Sequence, residues 1–184
     1  MTLHPDLEDA RRQIEAVLAD ARTLTDPLSD EQMNWRPSPG HWSIAECVGH
    51  LSRTGVAFVP GIKAAMEQAQ KSGGPFRYGW LESWAVSKMD QRGKIKVKAP
   101  KGLEAPPACP KAECLREFEA VHKEILEWVT RANGLHLSKT RVRHPFLPIV
   151  RYSLCGTFRM IAGHCRRHLA QAREVRSAPG FPVR

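Results

Sequence analysis

The stretch RYSLCGTFRMIAGHCRRHLAQAREVR, residues 151–176, carries Leu154, Phe158, Ile161, Cys165, Leu169 and Ala172 at steps of three or four. That period predicts an amphipathic helix over 151–175. His164 and His168 lie four residues apart within it, one turn apart on one helix face, so both imidazoles can reach a single metal ion. A catalytic divalent ion commonly takes three protein ligands and keeps a position for water or substrate. The third ligand has to come from another helix.

Residues 42–51, WSIAECVGHL, offer it as His50. Ser43 and Glu46 make a capping box, in which hydroxyl and carboxylate each satisfy an orphaned amide at a helix start. The helix they open has an apolar stripe of Ile44, Cys47, Val48, Leu51 and Val56. The stripe resumes at Ile62, Ala65, Met66 and Ala69 beyond Pro60, where a kink is expected. Ser72-Gly73-Gly74-Pro75 then ends it.

Two more helices complete the pattern. Leu7, Ala10, Ile14, Val17, Leu18, Ala21 and Leu24 define the first, stopped by Asp26-Pro27 and followed by a link over 28–40. Pro110 at a first helical position, with Leu115, Phe118, His122, Ile125 and Val129, defines the third, which stops at Asn133-Gly134. Residues 75–109 read as a long connection with a short helix at Leu81 to Met89. Such a length lets the flanking helices run parallel. Residues 177–184 read as a loose tail, and no segment reads as a strand. The expectation is an all-α, four-helix bundle in one domain over residues 1–184.

Composition is that of a folded globular chain, with 42% apolar and 26% charged residues. The N-terminus has neither a basic nor an apolar signal region, and no stretch is long enough to span a membrane, which places the protein in the cytoplasm. Five cysteines without CxxC spacing (Cys47, Cys109, Cys114, Cys155 and Cys165) read as reduced packing residues. Residues 1–70 hold 6 Lys/Arg against 10 Asp/Glu, and residues 71–184 hold 22 against 9. A basic part of this kind attracts nucleic acid or an anionic small molecule. No nucleic-acid motif accompanies it, so a small molecule is the favoured partner.

Together, Trp42 to Leu51 and Gly163-His164-Cys165-Arg166-Arg167-His168-Leu169-Ala170-Gln171 resemble the two signatures of the DinB-like superfamily. Asn34-Trp35-Arg36-Pro37 and His144-Pro145-Phe146 extend the likeness to nearly the whole chain. That group consists of damage-inducible, metal-binding four-helix bundles similar to bacillithiol and mycothiol transferases. The resemblance implies an up-down-down-up bundle, often a homodimer, with His50, His164 and His168 holding a divalent metal. Neutral histidine suits Zn, Ni, Cu or Fe equally, so ligand type does not choose the ion, which is expected to be Zn, Ni, Fe or Mn. It also implies either hydrolase-like chemistry or transfer of a low-molecular-weight thiol, the second being the preferred reading. The alternatives are a metal- or small-molecule-binding protein without turnover and a nucleic-acid-associated stress protein.

Other residues near these motifs have plainer roles. His122, Cys47 and Cys165 all complete apolar stripes and read as core. Glu46 is explained by its cap. Gln171, three residues after His168, can hydrogen-bond a ligand histidine or a bound water.

Overall fold

The computed structural model describes residues 2–90, 108–147 and 149–183. Four long helices dominate: α1 (Pro5–Thr25), α3 (Ile44–Glu67), α5 (Lys111–Arg131) and α6 (Leu154–Arg176). A one-turn α2 (Asp30–Asn34), a shorter α4 (Trp80–Asp90) and the strands β1 (Arg141–Arg143) and β2 (Arg151–Ser153) lie between them. The expected bundle is present, with α3 packed on α5 and α6 and α1 packed on the same two. Thus α1 and α3 sit across the bundle diagonal.

Named contacts fix the helix directions. The Cys114 thiol donates to the Ala45 carbonyl near the starts of α5 and α3, and Gly55 abuts Val121 and Ile125 further along, so these helices run parallel. On the other side Arg159 pairs with Asp6 at 3.2 Å, Arg166 donates to Gln13 at 3.1 Å, and Arg173 pairs with Asp20. Both partners advance by seven residues at each step, the repeat of parallel helices held in register. The acidic first helix and the basic last helix therefore meet, which absorbs part of the uneven charge. Gly61 lies against the Arg143 carbonyl just before α6, whereas His50 faces residues late in α6, so α3 and α6 are antiparallel. With Arg22 of α1 paired to Glu119 of α5, and Thr2 bonded to Asn133 beyond its end, the order is up-down-down-up.

Four local expectations need correction. The last helix starts at Leu154, not 151, because residues 151–153 pair antiparallel with 141–143, Val142 opposite Tyr152. Three-residue strands are too short to show a period, yet Val142 is buried in the core. The tail is not loose: Phe181 packs edge-on against Trp35 at 5.5 Å, and the Pro182 carbonyl accepts from Gln32 at 2.8 Å. The 28–40 link contains α2, opened by its own capping box of Ser29 and Gln32. Finally, Val56 is 61% exposed instead of joining the apolar stripe, in a helix that contains Pro60. Proline deprives the carbonyl four residues earlier of its donor, and here both residues lie on the exposed side.

Glu82 of α4 docks on the start of α6. One of its oxygens accepts from the Ser153 amide at 3.1 Å and from the Ser153 hydroxyl; the other accepts from Arg141 at 2.8 Å. A carboxylate is favoured there by the amide-rich end of the helix. Gly156 makes room for it, since a Cβ at that position would overlap the Glu82 carboxylate. Gly156→Ala is expected to cost about 1–3 kcal/mol through this overlap. In urea melts the loss should shrink when Glu82→Ala is added, because only the contact with the Ser153 hydroxyl then remains.

Candidate metal centre

His50 sits in the second turn of α3, behind a firmly built helix start. The Ser43 hydroxyl accepts from the Glu46 amide at 3.1 Å, and the Glu46 carboxylate accepts from the Ser43 amide at 2.8 Å. Arg36 then grips the same carboxylate through two nitrogens, at 2.8 and 2.5 Å. Glu46 is 6% exposed. Held in this way it anchors α3, in line with its plain role as a helix cap.

The antiparallel packing of α3 on α6 brings His50, His164 and His168 together, with one ring nitrogen from each lying within 4.8 Å of the others. The ring centroids are 4.6 to 5.2 Å apart and the rings meet edge to face. Nε2 of His50 faces Nε2 of His164 at 3.1 Å. Nitrogens sharing one ion at about 2.0–2.1 Å stand roughly 2.9–3.4 Å apart for angles between a right angle and a tetrahedral one. The residues present therefore fit a metal ion.

Gln171 occupies the place its spacing suggested. Its Oε1 lies 3.1 Å from Nδ1 of His168. An amide oxygen only accepts, so Nδ1 carries the proton and Nε2 keeps its lone pair for a metal. Trp42, quoted in the first signature but given no role from sequence, stacks on His168 at 5.7 Å and 23° and tilts against His50 at 5.0 Å. Its position just before the Ser43 cap was the available signal: a large apolar residue there folds back over the first turns.

Neither cysteine joins the cluster among the described residues. Cys47 is buried in the core. Cys165 faces away, toward His122 of α5: Nδ1 of that ring donates to the Phe118 carbonyl at 2.8 Å, leaving Nε2 to accept from the Cys165 thiol at 3.1 Å. Burial pushes this thiol up to about 12. The pair is a core contact, and burial favours the protonated thiol.

Burial also keeps the imidazoles unprotonated. It is the main cause holding His164 well below the usual histidine range, assisted by His168, His50, Arg167 and His144. It pushes His168 down to about 3, the His50 charge adding and the Gln171 hydrogen bond opposing. It pushes His122 down to about 4. Neutral imidazole is the form that binds metal. Unfolding restores each ring's ordinary proton affinity near 6.5. Below that pH the unfolded chain takes up protons the folded one refuses. Stability of the chelator-treated protein is therefore full above pH 6.5 and falls as the pH drops toward 4, which urea midpoints measured across that window will show.

A family model described as the DinB superfamily matches residues 13–172. The solved structure of YfiT from Bacillus subtilis is similar over 96% of this chain and 89% of that one, with a TM-score of 0.63 and 15% identity. YfiT is described as a probable metal-dependent hydrolase with an unusual four-helix bundle topology. At that identity the likeness is one of fold. No curated protein matches the chain significantly. The family match runs from α1 to near the end of α6 and takes in all three clustered histidines, so the chain belongs to the DinB superfamily.

Proposed function

We propose that the protein is a divalent-metal-dependent enzyme acting on a small molecule, with His50, His164 and His168 as the metal ligands. The observation that carries this reading is the facing of Nε2 of His50 and His164 at 3.1 Å, beside a His168 whose tautomer Gln171 sets. A bound divalent ion supplies Lewis acidity, lowering the pKa of a thiol or water that reaches an open position. The chain's own residues then have limited tasks. The three imidazoles would hold the ion, Gln171 orients one of them, and Trp42 covers two of them from one side.

Thiol transfer is the reaction we favour, because Glu46, the buried carboxylate near the cluster among the described residues, is engaged by Arg36 and its cap. With such an ion held by His50, His164 and His168, a thiol would need no protein base: its proton would leave to solvent, its sulfur would bond to an electrophilic carbon, and the leaving group would depart with its electron pair. Hydrolysis is the second reading, favoured by the description of YfiT.

Purified, reconstituted protein is expected to hold about one Zn, Ni, Fe or Mn per chain by elemental analysis, and the triple His→Ala variant none. Gln171→Ala should weaken binding by about 10–100-fold in a chelator competition. A chain that takes up no metal under these conditions overturns the proposal. Consumption of a bimane electrophile should depend on an added low-molecular-weight thiol and vanish with His168→Ala. Turnover of an activated ester without thiol would instead favour the hydrolase.

A further inference from the structure

His144, quoted above only as part of a family likeness, takes no part in the cluster. It directly follows β1, and its amide donates to the Val150 carbonyl at 2.9 Å across the neck of the hairpin. Its half-buried ring packs edge-on against Phe58, with centroids 5.2 Å apart, and lies 5.7 Å from Phe146 and 6.2 Å from Tyr152. Phe58 is eight residues beyond His50 on the same face of α3, about 12 Å along the axis. His144 thus borders the same side of the bundle as the histidine cluster.

The hairpin loop decides which tautomer this ring adopts. Backbone amides of Phe146 and Leu147 both point at Nδ1, at 3.2 and 3.1 Å. Amides only donate, so Nδ1 keeps its lone pair and the proton of the neutral ring sits on Nε2. Among the described residues no acceptor hydrogen-bonds that Nε2. The loop alone does not call for histidine, since an asparagine or aspartate oxygen accepts amides two and three residues on equally well. What histidine adds is a fixed, neutral donor beside aromatic walls.

Resting on the metal reading above, we infer that His144 is a substrate-binding residue. Its Nε2–H donates to a carbonyl or carboxylate oxygen at one end of a small molecule whose other end reaches the metal. The partly exposed Phe146 ring, 5.7 Å from His144, lies beside that end of the molecule, over a core closed by the buried Phe58. The site therefore selects bifunctional compounds, with a metal-binding head and an acceptor tail about two helical turns away.

The test uses the full chain loaded with cobalt(II), titrated with benzohydroxamate and with para-carboxybenzohydroxamate while the visible absorption of the cobalt is followed. The wild type should bind the carboxylated probe about tenfold more tightly, the range of one hydrogen bond to a charged group. His144→Asn retains an acceptor for the two amides, and His144→Phe retains a ring. Both should bind the two probes equally, with cobalt stoichiometry and benzohydroxamate affinity unchanged. A preference that survives in both variants, or that the wild type lacks, overturns the inference and leaves the metal reading standing. Failure of the wild type to take up cobalt or to bind benzohydroxamate overturns the metal reading and this inference with it.

Discussion

Two imidazole nitrogens, from residues 114 positions apart, face each other across 3.1 Å in the interface between antiparallel helices. Such an approach is tolerable only if both rings stay neutral or share a cation, since two positive charges at that distance in a poorly solvated place repel strongly. Much of the surrounding structure serves that condition. The Arg36–Glu46 pair and the Ser43 cap anchor the helix that carries His50, and Gln171 and Trp42 fix His168 from two sides. The diagonal placement of α1 and α3 leaves α3 beside α6, so the cluster is a product of topology as much as of side-chain chemistry.

Much of this was legible in the sequence. Leu154, Phe158, Ile161 and Leu169 mark the last helix by period alone, and Ser43 with Glu46 marks the start of α3. The spacing of Gln171 from His168 foretells a hydrogen bond that the structure contains. All of these are local signals, acting over one to four residues. What escaped depends on distant partners. Val142 is in the core because Tyr152 pairs with it, Phe181 is ordered because Trp35 lies under it, and Arg36 matters because Glu46 is within its reach. No period or composition within residues 141–153 or 177–183 carries that information.

Charge was legible in amount and only partly in meaning. The excess of lysine and arginine after residue 70 suggested an anionic partner, but Arg159 and Arg173 are spent on Asp6 and Asp20 of the first helix, and Arg141 on Glu82. Partly exposed pairs of this kind add little stability each. Their value lies in direction, because they hold two parallel helices at one offset. Membership of the superfamily follows from most of the chain, whereas a reaction depends on the few side chains that border the cluster.

The seven-residue ladder between α1 and α6 works as a vernier for the histidines. The first helix contributes no ring to the cluster, yet it indexes the height of His164 and His168 against His50. A slip by one helical turn would carry them about 5.4 Å along the axis, more than the separation of the facing nitrogens. Length variation in the loops is harmless to this alignment, while a single inserted or deleted residue inside α1 rotates its polar edge by about 100° and leaves the arginines of α6 without their marks. The constraint on the N-terminal helix is thus one of phase: what matters is that Asp6, Gln13 and Asp20 keep their count.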